Sequence, residues 1–392
     1  MTDADLHALA ERYGTPLYLY DLDALADRVG LLREALPEAE VRYAVKANPA
    51  GAVLKRLAEL GVGAEAITEG ELARAVRAGI PGERIVLGGP GQGPATRRRA
   101  REVGTTQVSL DSLGQWRAWR DEGAARARFL VRVHPRFDPD THPHLATGAT
   151  GSKFGLSLDA ARAVAREVDA AGLLDGFHVH AGSMIRDPGV HDRIVRMLDP
   201  LFRAFPRARA LNLGGGFAVP GFDPASLAEV VQPFVAKRDL RLLLEPGRWL
   251  VAEAGQLLTR VLWRKEEEPG HWICDAGMAQ LLRPALYDAH HPIRVVQRGG
   301  AHLPDAVPPA PRAHGEVQGP LCENADRLGR DRDLVAGPGD LLSVGLAGAY
   351  GMSMASNYAS ELRPAEVALD RDEARLIRRR ESVEDLWQLE VE

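Results

Sequence analysis

Between residues 41 and 245 the chain repeats one pattern eight times. A short apolar run is broken by glycine or a polar residue, and most of the intervals then carry apolar residues at helical spacing. The runs lie near 41–46, 62–67, 84–88, 106–110, 127–134, 176–181, 209–214 and 240–245. Helical patterns occupy Ala52–Leu60, Glu69–Ala78, Leu113–Glu122, Leu158–Ala171 and Val190–Phe205. Strand–helix units of this kind place parallel strands side by side, and a sheet closes on itself at eight. The pattern predicts a (β/α)8 barrel over residues 22–247, entered through a helix at Asp23–Leu36.

After Glu245 the rhythm stops. Gln256–Glu266, Trp272–Asp275, Ile293–Gln297, Ala313–Gln318, Asp340–Leu346 and Glu366–Asp370 read as strands between Gly/Pro turns, with little helix among them. A second, mostly β domain over 248–392 follows, completed by residues 1–21, in which Thr15–Asp21 reads as a further strand. Arg378-Arg-Arg380 reads as a solvated strand edge, and Cys274 as a β-core residue.

Composition excludes several functions. A net charge of −5 with no basic stripe argues against nucleic acid. No window approaches the roughly 18 apolar residues that cross a bilayer. The acidic opening Met1-Thr-Asp-Ala-Asp-Leu6 lacks the features of a signal peptide, and two cysteines make no disulfide framework, so a cytoplasmic protein is expected. Among twelve histidines His290 and His291 are adjacent, but no HExxH or CxxC spacing exists, so no metal site is expected.

In a barrel the chemistry sits where strands end and βα loops begin. The first run, Val41-Arg-Tyr-Ala-Val-Lys-Ala-Asn-Pro49, puts Lys46 there. An ammonium at the end of an apolar strand is costly unless paired or used, and a lysine amine can form a Schiff base with an aldehyde. The sixth strand, Gly176-Phe-His-Val-His-Ala-Gly-Ser183, brings His178 and His180 to one face with Ser183 beyond. Gly214, Gly215 and Gly216 follow the seventh strand, where barrels commonly bind phosphate; a plain tight turn is the alternative. The eighth strand ends Leu243-Leu-Glu-Pro-Gly-Arg248, and Glu245 among leucines needs a cation: either a protonated ring nitrogen or Arg248. Lysine, phosphate cradle and buried carboxylate together suit pyridoxal 5'-phosphate.

These segments resemble the pyridoxal phosphate decarboxylases of the alanine-racemase fold (fold type III), from Tyr13-Gly-Thr-Pro-Leu-Tyr to Arg363-Pro-Ala-Glu-Val. The resemblance implies that Lys46 is the Schiff-base residue, that His180 stacks on the cofactor ring and that Ser183 reaches its phosphate. It implies that Gly214–Gly216 form the phosphate loop, that Glu245 meets the ring nitrogen, and that Gly247 and Arg248 complete the cofactor site, Arg248 also binding substrate. In the β domain Arg283, Tyr287 and Tyr350 correspond to substrate ligands, Tyr350 also touching the cofactor. Cys322 corresponds to the catalytic cysteine and Glu323 to an acidic specificity residue, both reaching the active site of the other subunit of a homodimer. Departures are Asn324 where the family has serine, Gly89-Pro-Gly-Gln-Gly-Pro94 in place of a polar loop, and Ala359 after Tyr358.

Two arginines suit a substrate with a carboxylate at its far end, and Glu323 an ammonium there. The expected reaction is decarboxylation of meso-2,6-diaminopimelate to L-lysine, the last step of lysine biosynthesis, with Cys322 as proton donor. A sibling decarboxylase of ornithine, lysine, arginine or a carrier-bound amino acid is the alternative; a racemase or a pyridoxal-phosphate-binding carrier fits the residues less well.

Overall fold

A computed structural model describes residues 2–123, 126–135, 153–267, 270–296, 313–371 and 373–391. The chain divides into two compact units, Leu25–Leu250 and Met1–Ala24 with Val251–Glu392.

In the first unit eight parallel strands close a barrel: β2 (Glu40–Ala44), β3 (Gly63–Ala66), β4 (Ile85–Leu87), β5 (Gln107–Leu110), β6 (Arg128–Arg132), β7 (Leu174–His178), β8 (Ala210–Asn212) and β9 (Arg241–Leu244), β9 pairing back onto β2. All eight expected runs are strands of this barrel. Val86, Leu130, Ala210 and Leu243, fully buried, form an apolar plug inside it. The helices are α2 (Leu22–Ala35), α3 (Gly51–Glu59), α4 (Glu69–Arg77), α5 (Pro94–Glu102), α6 (Leu113–Asp121), α7 (Leu158–Ala170), α8 (Gly189–Ala204) and α9 (Pro224–Arg238). Several start on a side chain that caps orphan amides: Thr68 accepts from the Glu71 N–H, Ser112 from Gln115, Ser157 from Ala160 and Asp223 from Ala225 and Ser226. Helices dock on strands through aromatic edges; Trp116 and Trp119 of α6 meet Phe129 of β6 at 5.4 and 5.9 Å.

The second unit is a sheet in the order β14 (Arg327–Leu334), β13 (Ala313–Gln318), β11 (Gly270–Cys274), β10 (Gly255–Lys265), β1 (Leu17–Asp21), β16 (Ala365–Asp370), β17 (Glu373–Arg378). A branch joins β12 (Ile293–Val295) to β15 (Leu341–Val344) and β15 to β10. The expected strand end Gln297 lies outside the described residues. The N-terminal strand is central: Leu17 pairs with Leu258 antiparallel and with Ala365 parallel. Helix α1 (Asp3–Tyr13), capped by Thr2, covers one face with Leu6, Leu9 and Ala10 against Leu17, Leu19, Leu258 and Val367. On the other face Tyr18 and Tyr20 stack at 6.0 Å, their hydroxyls donating to the Gln280 carbonyl and the Glu366 carboxylate.

The basic triplet Arg378–Arg380 begins at the last residue of the edge strand β17, yet it is more than solvated. Arg378 donates to Glu366 at 2.6 Å, Arg379 pairs with Asp385, and Arg380 donates to the Pro16 carbonyl at 2.7 Å. Cys274 is buried, and burial pushes its thiol well up from the ordinary range. No helix of the described residues is long and apolar enough to cross a membrane.

Candidate active site

The barrel gathers its unusual side chains at the carboxyl ends of β2, β3, β7, β8 and β9. Strand β2 stops at Ala44, and Lys46 lies in the tight turn Val45–Ala47 that follows. That turn is held from both sides. The buried Tyr43 hydroxyl donates to the Asn48 carbonyl at 3.1 Å, the Asn48 side chain accepts from the Ala50 N–H at 3.0 Å, and the Ala44 N–H donates to Pro246 O. Gly247 closes against the same turn; a Cβ there would lie 3.1 Å from the Cβ atoms of Ala44 and Ala47.

Lys46 is two-fifths exposed, and its Nζ stands 2.5 Å from Oε2 of Glu65 on β3. Glu65 is buried and did not emerge from the sequence reading. Its strand, Gly63-Ala-Glu-Ala66, sets the acid among small residues, a weaker contrast than the leucines before Glu245. A second residue missed in the same way is Arg132 of β6, buried 3.4 Å from the Asp111 carboxylate.

Glu245 follows β9 directly. Its Oε1 accepts from Asn212 Nδ2 at 2.6 Å, and its Oε2 lies 3.5 Å from Nε2 of His178. Its donor is thus Asn212, with the His178 ring beside it. Burial, with the charge of Glu65 second, raises the Glu245 carboxyl to about 7. A cation beside Glu245 would offset that cost, which is what a protonated ring nitrogen provides.

The two histidines divide their work. His178 turns its Nδ1 to the Ser109 hydroxyl at 2.7 Å, and burial holds its ring neutral, far below the usual histidine range. His180 Nδ1 accepts the Gly215 N–H at 3.1 Å, so that nitrogen carries no proton. Burial first, then Arg132 and Lys46, depress its pKa to about 3. His180 is therefore a flat neutral ring beside the glycine loop, suited to stacking on an aromatic cofactor.

No residue of the triplet has room for a side chain. A Cβ would fall 2.6 Å from His180 Nδ1 at Gly214, 2.2 Å from the Glu245 carbonyl at Gly215 and 2.0 Å from the Gly182 carbonyl at Gly216, and Gly214 and Gly216 have φ of +65° and +87°. The loop departs from a simple cradle of three amides. Gly214 N–H is taken by Asn212 Oδ1 at 2.8 Å and Gly215 N–H by His180, leaving Gly216 N–H without a partner among the described residues. The neighbouring strap is drawn alongside, Ile185 N–H donating to Gly216 O at 2.9 Å, and carries Ser183, whose hydroxyl also makes no hydrogen bond there. Two donors without partners among the described residues, beside a glycine loop that excludes side chains, a neutral ring, a buried carboxylate and an amine fit pyridoxal phosphate.

The other expected residues belong to the second unit. Arg283, buried, opens the short helix Arg283–Tyr287, which Tyr287 ends. Cys322 is an exposed free thiol in the segment Gly319–Asp326. Buried Asp326 pins that segment by accepting from Met278 N–H at 2.5 Å and Leu321 N–H at 2.7 Å. Glu323 accepts from the Tyr358 hydroxyl. Tyr350 holds a positive φ of 56°, an uncommon conformation for a residue with a side chain.

Comparison with known proteins points to one family. The diaminopimelate decarboxylase of Deinococcus radiodurans is 38% identical, over 98% of this chain and 99% of that protein. That of Neisseria meningitidis serogroup A is 38% identical over 96% and 95%. The crystal structure of diaminopimelate decarboxylase from Helicobacter pylori complexed with L-lysine superposes with a TM-score of 0.89 at 32% identity, over 98% of this chain and 99% of that one. Residues 22–252 match the pyridoxal binding domain of the pyridoxal-dependent decarboxylases, and the chain belongs to that family.

Proposed function

We propose that this chain decarboxylates meso-2,6-diaminopimelate at one end and releases L-lysine, acting in the cytoplasm as a homodimer. The observation that carries the reading is the convergence at one barrel mouth of the Lys46 amine, a glycine loop closed to side chains and the buried Glu245. The relatives' names and the L-lysine bound by the Helicobacter pylori enzyme support the choice of substrate.

When bound, pyridoxal phosphate supplies an aldehyde for amines and a ring that accepts the electron pair left as CO2 departs. The chain's residues do the rest. Lys46 offers the amine that tethers the cofactor, with Glu65 to receive its ammonium form. Glu245, oriented by Asn212, would favour a proton on the ring nitrogen, and neutral His180 would cover the ring face. Gly216 N–H and the Ser183 hydroxyl would donate to the phosphate, while Gly214 and Gly215 give the loop its close fit and Gly247 packs against the Lys46 turn. Arg248 and Arg283 fork onto the carboxylate at the unreacting end, Glu323 takes the ammonium there, and Tyr287 and Tyr350 complete the substrate contacts. Cys322 of the partner subunit delivers the proton that replaces CO2 on the α-carbon.

CO2 release and amine products are measured for the purified protein with meso-diaminopimelate, L-lysine, L-ornithine and L-arginine. CO2 and L-lysine are expected from diaminopimelate alone, and Lys46→Ala abolishes both turnover and the protein-bound visible absorbance of the cofactor. Turnover of ornithine without diaminopimelate would overturn the substrate.

A further inference from the structure

The adjacent histidines His290 and His291 each hydrogen-bond an arginine. His291 is fully buried in the second unit, and both ring nitrogens are engaged: Nε2 lies 3.0 Å from Nη1 of Arg283, and Nδ1 lies 2.9 Å from the Gly345 carbonyl. A guanidinium only donates hydrogen bonds, so Nε2 is the acceptor, and the ring proton is assigned to Nδ1, donating to Gly345. The partners thus select one tautomer of a neutral ring.

The ring is itself anchored. Arg332 of β14 donates to His290 Nε2 at 2.7 Å and to the His291 carbonyl at 3.0 Å, while Gly345 N–H donates to Pro292 O at 2.8 Å just before β12 pairs with β15. Arg283, buried, begins a helix of five residues, and His291 lies eight residues further along the chain. A carboxylate at Nη1 would orient the guanidinium but also neutralise it. A neutral imidazole orients it without bringing a negative charge of its own.

We propose that His291 is the positioning residue of Arg283, fixing the guanidinium to receive the carboxylate at the unreacting end of the substrate. This rests on the reading of Arg283 as a carboxylate ligand, and the test separates the two.

Binding of L-lysine, which keeps that carboxylate, and of cadaverine, which lacks it, is measured by calorimetry on the cofactor-loaded enzyme. His291→Leu removes the acceptor, and a lost hydrogen bond to a charged group predicts L-lysine affinity lower by about tenfold to a hundredfold with cadaverine affinity unchanged. KM for diaminopimelate should rise by more than kcat falls. His291→Gln, whose amide can accept from Arg283 and donate to Gly345, should restore most of the lysine affinity. If His291→Leu does not fold, His291→Asn, too short to span both contacts, should show the same selective loss. Equal losses for both ligands, or no loss of lysine, overturn the proposal. If Arg283→Gln leaves the lysine-to-cadaverine ratio unchanged, it is the reading of Arg283 that has failed; if Arg283→Gln lowers the ratio and His291→Leu does not, only the positioning role has.

Discussion

The charge on Glu245 carries a cost that can be measured in the cofactor-free protein. Burial, and Glu65 second, lift its carboxyl from 4.5 to about 7. Below pH 4.5 the group is protonated whether the chain is folded or not, and it does not affect stability. Between 4.5 and 7 the unfolded chain ionises while the folded one stays neutral, so stability falls as pH rises. Above 7 the folded protein bears the full cost, about 3 kcal/mol at about 1.4 kcal/mol for each pH unit of the difference. Glu245→Gln keeps the oxygen that accepts from Asn212 and cannot ionise. The cofactor-free variant should match the parent near pH 5 and exceed its stability by about 3 kcal/mol at pH 8. Urea unfolding at pH 5, 6, 7 and 8, followed by fluorescence of the buried Trp116 and Trp119, reads the difference. A variant-to-parent difference that is flat across this range refutes the assignment of the cost to this carboxylate. Saturating pyridoxal phosphate should then invert the order, because the variant lacks the anion that faces a protonated ring nitrogen. If parent and variant gain the same stability from the cofactor, Glu245 is not that partner.

Two further changes probe the loop and the proton donor. Gly215→Ala places a Cβ 2.2 Å from the Glu245 carbonyl, so backbone must move, and cofactor affinity read by titration should weaken roughly tenfold to a hundredfold. Gly30→Ala, in open space on α2, should leave that affinity unchanged. Cys322→Ala should keep cofactor absorbance and lower kcat by about a hundredfold or more, in proportion to the loss of a positioned acid. Unchanged kcat would remove the thiol from the mechanism.

How much of this was legible in the sequence depended on whether a residue's meaning is local. The barrel was, because each strand is an apolar run ended by a turn, and so was Glu245, because large leucines make an acid conspicuous. Glu65 sits on a strand of equal burial, but glycine and alanine supply no such contrast. Helix α5 was hidden by its own composition: Pro-Ala-Thr-Arg-Arg-Arg-Ala-Arg-Glu turns Ala100 and the stem of Arg97 inward, and Arg97 is neutralised by Glu122 from beyond the next strand, so no apolar stripe remains to be seen. Strand β14, Arg-Leu-Gly-Arg-Asp-Arg-Asp-Leu, is masked likewise by charges on its open face.

At the site the limit is sharper. Three glycines announce a loop that approaches something closely, but not that Asn212 and His180 already occupy two of its amides. That division gives Asn212 a double duty: one side-chain amide orients the Glu245 carboxylate through its nitrogen and braces Gly214 through its oxygen, linking in a single residue the two ends of the proposed cofactor site. A substitution at Asn212 therefore cannot disturb one end alone. The same logic recurs at His291, where one imidazole joins a carbonyl to a guanidinium eight residues upstream. Residue types reveal which groups can do chemistry, whereas the side chains that aim those groups are ordinary polar residues, and only their partners in the folded chain distinguish them from any other.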